Sequence, residues 1–166
     1  DFMAYIEGNF DGYQHVGFKL KKAYVTVNDW TVGYAPSTFS DPNAQPPTID
    51  GAGPNGRITH TNILVRYMHS FRDRWSVAAS FEFPDSHPDI TDGQTKKCSD
   101  YVPDICAMGQ YQWDEGLSHV RLSGLIRVIP YRDLIVGKTR NVVGWGVQLS
   151  TMFKVFRPLT VYALAN

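Results

Sequence analysis

The strongest constraint in this sequence is a two-residue period of apolar and polar side chains that returns in segment after segment. Successive side chains of a β-strand point to opposite faces, so the period indicates strands with two unlike faces. Clear apolar rows are Phe2, Ala4, Ile6, Gly8 and Phe10 near the start, and Val143, Trp145, Val147, Leu149 and Thr151 near the end. The parity shifts after Leu20, which predicts a β-bulge near Lys21 and Lys22. About nine such segments predict an all-β protein.

The connections between these segments alternate between short and long. Short turns are predicted at Asn28-Asp29, Arg72-Asp73 and Asp114-Glu115-Gly116. Long loops rich in turn-forming residues occupy about 36–56 and 84–105. Outer-membrane barrels join their strands by short periplasmic turns and longer extracellular loops. The alternation therefore favours an antiparallel transmembrane β-barrel over the alternative of a soluble, lipocalin-like binding barrel.

The composition is consistent with a barrel and excludes several other classes. The mean hydropathy is −0.27, and no segment approaches the ~20 apolar residues of a membrane-spanning helix, whereas alternating barrel strands keep the mean hydropathy low. Sixteen basic and sixteen acidic residues leave a formal net charge of zero, which gives no indication of a nucleic-acid partner. Gly-x-Ser-x-Gly and phosphate-binding glycine motifs do not occur in the sequence, so we expect neither an enzyme nor a cofactor.

The strand count indicates only part of a barrel. Single-chain bacterial barrels usually close with an even number of strands, and the first and last segments here are cut within their pattern. We therefore predict that residues 1–166 form one partial barrel domain, about half of a larger barrel. Because an open sheet edge in lipid leaves backbone groups unsatisfied, the remaining strands must be supplied elsewhere.

A passive pore needs no nucleophile or general base. It needs a constriction whose charges favour solutes of one sign. Five cations lie opposite the apolar rows and are the candidate pore-lining residues: Arg66, Arg121, Arg127, Lys19 and Lys21. A guanidinium can hold a carboxylate by two parallel hydrogen bonds, so the three arginines are the better candidates for contact with an anionic solute. The alternative is that they pair with carboxylates of the same wall, such as Glu7 and Glu82, and only brace it.

The two long loops contain the other candidate residues. If the first loop folds inward, Asp41 and Asp50 would face the basic wall and narrow the pore; the alternative is a surface loop at a subunit contact or the cell exterior. In the second loop region, Cys98 and Cys106 are expected to form a disulfide, which suggests an oxidising compartment, with free thiols as the alternative.

The histidines do not suggest a metal site. Four of them, His60, His69, His87 and His119, lack the short spacing with a carboxylate that would place ligands on one strand face. We therefore expect solvated histidines in loops or in the lumen, and no metal.

Two segments resemble the DcaP-like porins. They are Ala23-Tyr24-Val25-Thr26-Val27-Asn28-Asp29-Trp30-Thr31-Val32-Gly33, and Ser37-Thr38-Phe39-Ser40-Asp41 continuing to Asp50, followed by Gly53-Pro54-Asn55-Gly56. A strand, a short turn, a second strand and a Thr-Phe-x-Asp loop follow one another in the same order as in that family. The paired cysteines, in contrast, are not a feature of the family. The resemblance implies a sixteen-stranded barrel, a homotrimer in the outer membrane of a Gram-negative bacterium, and passive uptake of small, often anionic solutes such as dicarboxylates. The alternative within the outer membrane is a non-conducting barrel that anchors or binds a partner.

Overall fold

The computed structural model describes residues 1–11, 17–45, 60–84, 95–98, 101–156 and 159–166. Within these ranges the chain forms ten strands: β1 (Phe2–Asp11), β2 (Gly17–Val27), β3 (Trp30–Pro36), β4 (Thr61–Phe71), β5 (Trp75–Glu82), β6 (Thr95–Lys97), β7 (Asp104–Trp113), β8 (Ser118–Asp133), β9 (Thr139–Phe156) and β10 (Leu159–Ala165). Two single turns of 3-10 helix, at Pro42–Ala44 and Asp114–Gly116, are the helical elements of the described residues. None of the described helices is long and apolar enough to cross a membrane. The prediction of an all-β fold is confirmed.

The strands form one antiparallel sheet in which neighbours along the chain are neighbours in space. The order is β1-β2-β3-β4-β5-β7-β8-β9-β10, and the short strand β6 pairs with the far end of β8. Strands β1 and β10 are the two edges, so the sheet is open within the described residues. This arrangement has the form expected of about half of a porin barrel.

The bulge near Lys21 and the long loop at 84–105 are two local features that the sequence predicts. The bulge is confirmed, because Glu7 pairs with Lys22 and Gly8 pairs with Leu20, which leaves Lys21 as the extra residue. The predicted loop at 84–105 is interrupted by β6, because Thr95–Lys97 pairs with Tyr131–Asp133 of β8. The structure does not describe most of the remainder of that loop.

The predicted short turns lie together at one end of the sheet, which we call the short-turn end. Asn28, Arg72 and Asp73 have φ values of 52°, 50° and 56°, as hairpin turns whose twist matches that of the flanking strands require. Asp114 and Glu115 have φ values of 56° as well. The connections β3–β4 and β5–β7 leave the sheet at the opposite, long-loop end.

One face of the sheet is apolar and exposed, and we call it the apolar face. A single row of cross-strand partners runs across seven strands: Val25, Val32, Val65, Phe81, Ile105, Ile126 and Trp145. Their exposed fractions range from 37% for Val25 to 79% for Trp145. A continuous exposed apolar surface of this kind is costly in water and is what the lipid-facing side of a barrel requires.

Aromatic side chains gather at the short-turn end. Contacting ring pairs there are Trp30–Tyr67, Trp75–Tyr111 and Trp113–Phe153, with centroid separations of 5.1, 4.7 and 5.2 Å. Trp30 and Trp75 are about half exposed, at 53% and 54%. Such a band corresponds to the aromatic girdle that anchors barrels at a membrane interface.

The opposite face, which we call the polar face, contains most of the buried side chains. Leu64, Ser80, Cys106, Ser123 and Gln148 all lie on it with 3% exposure or less. They are buried because the residues that follow β3 fold across them instead of leaving the sheet. The site described next is formed by that segment and the strands beneath it.

Candidate functional site

Residues Ser37–Gln45, here called the inner segment, are held against the polar face by strands far away in sequence. The Thr38 N–H donates to Glu82 Oε1 at 2.8 Å, and Arg121 Nη2 donates to the Thr38 carbonyl at 2.5 Å. The Phe39 ring packs on Gly146, where its nearest carbon is 3.5 Å from the position a Cβ would occupy. Hydrogen bonds and a close ring contact therefore fix the segment to β5, β8 and β9.

Asp41 is the main anchor of the inner segment. Its carboxylate is fully buried and lies 2.9 Å from His119 Nε2 and 2.5 Å from Ser150 Oγ. Its Oδ1 also accepts hydrogen bonds from the backbone N–H groups of Asn43 and Ala44 in the 3-10 turn Pro42–Ala44. Burial raises the pKa of Asp41, but the hydrogen bonds from His119 and Ser150 and the charge of Arg121 outweigh burial and hold the pKa at about 2. Asp41 is therefore ionised at neutral pH.

The first long loop is predicted either to fold inward or to lie at the surface. The position of the inner segment bears on this choice. Asp41 lies on the polar face beside basic side chains, the position that an inward fold requires. Asp50 lies outside the described residues. That the inner segment narrows a pore stays a prediction.

Arg127 is tied to a carboxylate of its own wall. Its Nε lies 3.0 and 2.9 Å from the two Asp104 carboxylate oxygens, and its Nη2 lies 2.5 Å from Oδ2. Asp104 is 1% exposed and sits opposite Glu82 on β5. A bidentate pair of this kind matches the alternative in which an arginine braces the wall, with Asp104 as the partner in place of Glu7 or Glu82.

Arg121 supports the inner segment. It is 8% exposed; besides its bond to the Thr38 carbonyl, its Nε donates to Ser123 Oγ at 3.4 Å. Its charge also helps to keep Asp41 ionised. Arg121 therefore holds the segment in place, and its burial leaves little of the guanidinium accessible to a solute.

Arg66 is the least engaged of the three predicted arginines. Its Nη1 makes one long hydrogen bond, 3.4 Å, to the Pro36 carbonyl, and its buried Nε has no hydrogen-bond partner among the described residues. The wall carboxylate of Glu82 already accepts hydrogen bonds from Thr38 and Ser80. Arg66 is therefore the arginine best able to bind an incoming anion.

The two predicted lysines lie on β2 near the bulge. Lys21 Nζ is 3.9 Å from Glu7 Oε1, and the neighbouring Lys22, which the sequence reasoning did not select, is 2.9 Å from Oε2. Lys19 is exposed and pairs in register with Asn9, on the side opposite the apolar row. The ion pairs of Glu7 are partly exposed and contribute little to stability.

The predicted Cys98–Cys106 disulfide is wrong, because both thiols are free. The Cys98 N–H donates to the Pro130 carbonyl at the end of β8, whereas Cys106 pairs with Leu125 of the same strand. Those positions are about 16 Å apart along β8 at ~3.3 Å per residue, whereas bonded cysteines have Cα atoms within about 7 Å.

The histidine prediction needs one correction. We expected solvated histidines, but His119 is only 2% exposed. Its hydrogen bond to Asp41 satisfies a ring nitrogen, so the ring can be buried beneath the inner segment. His87 lies outside the described residues. Among the described residues, no group of three or more His, Cys, Asp or Glu side chains is placed to hold a metal ion.

Sequence reasoning missed most of the residues that position the inner segment. His119, Ser150 and Asp104 were not selected as partners of the predicted charges. The available signal was weak: His119 and Ser150 occupy polar positions on strands, but nothing local connects them to Asp41, 78 and 109 residues away.

Comparisons with known proteins agree with this architecture. No family model matches the sequence, and no curated protein matches it. Among solved structures, the outer membrane channel DcaP of Acinetobacter baumannii is similar, with a TM-score of 0.81 and 25% sequence identity; the match covers 98% of this chain and 46% of that one. This chain thus spans about half the length of that channel. It is related to the DcaP-like porins and has the fold of about half of such a barrel.

Proposed function

We propose that this chain forms about half of an outer-membrane porin that lets small hydrophilic anions, of the dicarboxylate type, diffuse passively into a Gram-negative bacterium. In this proposal the apolar face contacts outer-membrane lipid and the polar face lines the lumen. The observation that carries it is the contrast between the two faces. A seven-strand apolar row is exposed on one side, while the other side buries charged and polar groups.

Passive diffusion is favoured over chemistry by the way the polar groups are used. The buried charges of the polar face hold the inner segment or one another, as with Asp41 and His119 or Asp104 and Arg127. A constriction built from such fixed groups acts on a solute by its size and charge. The inner segment, which lies across the polar face, is the proposed constriction.

The preference for anions rests on Arg66. It faces the same side as the inner segment, it has an unpaired Nε, and no carboxylate forms an ion pair with it among the described residues. Lys19 lies on the same side and is exposed. A carboxylate that passes the constriction would meet a guanidinium whose terminal nitrogens make one long hydrogen bond within the described ranges, an arrangement that lowers the barrier for anions.

The test is the reversal potential of the full-length protein in a planar bilayer with a salt gradient. We expect steady current with anion preference, and the Arg66→Gln variant should lower the anion-to-cation permeability ratio about fivefold, since a unit charge at ~4 Å in water is worth about 1 kcal/mol. Arg72→Gln, which removes an exposed charge at a short turn, is the matched control and should change nothing. Absence of any steady current would instead favour the non-conducting barrel, and an unchanged ratio in Arg66→Gln would refute the assignment of anion preference to this residue.

The proposed assembly is a homotrimer, as in the family that the sequence resembles. The mass of the full-length protein in detergent, measured by light scattering with the detergent subtracted, tests this directly. Three chains per particle support the proposal, and one chain per particle contradicts it.

A further inference from the structure

Two cations stand side by side on the outward side of the sheet at the long-loop end. Strand β6 places Lys96 directly opposite Arg132 of β8, and both are exposed. Arg132 has the same strand parity as Ile126 of the apolar row, so the pair lies on the apolar-face side. Like charges directly opposite each other destabilise a strand pair, and within the described part of the chain neither cation has an ion-pair partner. An anion bound between them would remove this repulsion.

The carboxylate adjacent to Arg132 in sequence does not supply that anion. Asp133 follows Arg132, but its Oδ1 accepts the backbone N–H groups of Ile135 and Val136 and its side chain belongs to the other strand parity. The charge of the pair is therefore available to a ligand.

Tyr101 marks the boundary between this cation pair and the apolar face. Its hydroxyl accepts a hydrogen bond from Asn141 Nδ2 at 2.8 Å, and its side chain is 63% exposed. Asn141 pairs with Pro130, which is about 7 Å from Arg132 along the strand at ~3.3 Å per residue. Exposed tyrosines with a hydrogen-bonded hydroxyl are typical of a membrane interface, and in the proposed barrel this would place the cation pair at the level of the lipid headgroups.

Below that level Tyr101 borders an apolar cavity. The cavity has a volume of about 310 Å³, and its lining includes Ile63, Val65, Phe81 and Phe83, with Glu82 as its one charged residue among those the structure describes. Ile63, Phe81 and Phe83 are each 59% exposed, so the cavity opens on the apolar face. A hydrocarbon chain fits this environment, and the cavity lies on the same side of the sheet as the two cations.

We propose that this surface binds a lipid with a phosphate headgroup in the outer leaflet, its phosphate between Lys96 and Arg132 and an acyl chain against the cavity beside Tyr101. The inference rests on the proposed function, because the long-loop end reaches the outer leaflet only in an outer-membrane barrel. Arginine and lysine are the side chains that bind phosphate best. A lipid is favoured over free phosphate because only a lipid also covers the apolar cavity.

The experiment is native mass spectrometry of the full-length protein in detergent, titrated with dioleoyl phosphatidic acid or, as the neutral-headgroup comparison, dioleoyl phosphatidylcholine. The wild type should bind phosphatidic acid selectively. The Lys96→Gln/Arg132→Gln variant should bind it about thirtyfold more weakly, since each cation near an anionic surface is worth about 1 kcal/mol. The Arg72→Gln/Arg74→Gln variant removes two exposed cations at the short-turn end and should bind as the wild type does. Lys96→Arg should also retain binding.

Three results would overturn the lipid site. They are equal affinities for the two lipids, equal losses in the two double variants, and complete displacement of phosphatidic acid by inorganic phosphate, which would indicate a free-phosphate site. Bilayer conductance of the same proteins separates this inference from the pore. A wild type that conducts but shows no lipid preference refutes the lipid site alone, whereas selective lipid binding without current refutes the pore and supports the lipid site.

Discussion

Replacing Asp41 with Asn should release the inner segment. The substitution keeps the shape of the side chain but removes the charge that His119, Ser150 and Arg121 stabilise. The pKa of Asp41 falls from an ordinary 3.8 to about 2, and at 1.36 kcal/mol per pKa unit this corresponds to about 2 kcal/mol of stability at neutral pH. Loss of the counter-charge near buried Arg121 would add to this cost.

The sign of the pH dependence follows from the lowered pKa. A carboxyl whose pKa is lower in the folded state contributes its full stability above its unfolded pKa of 3.8 and loses it as the pH falls through about 2. The wild type should therefore lose about 2 kcal/mol across that window relative to Asp41→Asn, in which this group no longer titrates.

The assay is urea unfolding of the full-length protein in detergent, followed by tryptophan fluorescence at a series of pH values. Asp73→Asn is the matched control, because Asp73 is exposed at a short turn, where Asn tolerates the φ of 56°. In bilayers, Asp41→Asn should also show larger and noisier currents, since the segment that lies across the polar face is less firmly held. The reasoning is refuted if Asp41→Asn matches the wild type in stability at pH 7 and has the same pH slope.

Three further outcomes are expected. Asp104→Asn removes one negative charge beside Arg127 on the polar face and should raise anion preference in reversal-potential measurements; a shift toward cations would contradict this. Gly146→Val places methyl groups against the inner segment's aromatic ring and should raise conductance by displacing the segment, whereas unchanged single-channel current would contradict the packing. In the folded protein without reductant, a maleimide should label half-buried Cys98 and spare buried Cys106. If neither cysteine is labelled until a reductant is added, the two cysteines form a disulfide.

The sequence was sufficient for the features that repeat along the strands. Rows such as Val143, Trp145 and Val147 carry their own signal, because in a strand every second residue shares a face. The bulge at Lys21 could be predicted for the same reason, since one extra residue reverses the parity. The turns at Asn28 and Arg72-Asp73 are also local, because they depend on the residue types at a few adjacent positions.

The site could be predicted only in part, because its contacts join residues that are distant in sequence. The parity of β8 placed Arg121 and Arg127 on the polar face, but not the carbonyl of Thr38 or the carboxylate of Asp104 that they contact. The disulfide prediction failed for a related reason. The two cysteines are only eight positions apart in sequence, but β6 runs toward the end of β8 and carries Cys98 away from Cys106.

The most direct test of a barrel with a lipid-facing side and a water-filled side is the labelling of adjacent positions on β9. Single cysteines at Val143, Gly144 and Trp145 would be introduced into the full-length protein after Cys98 and Cys106 are replaced by Ser, and treated in intact outer membranes with a small, water-soluble maleimide. Gly144→Cys, on the polar face beside Arg127, should react rapidly, and Val143→Cys and Trp145→Cys, on the apolar face, should be protected by lipid. Equal reactivity at all three positions would contradict a sheet with one face toward lipid and the other toward water.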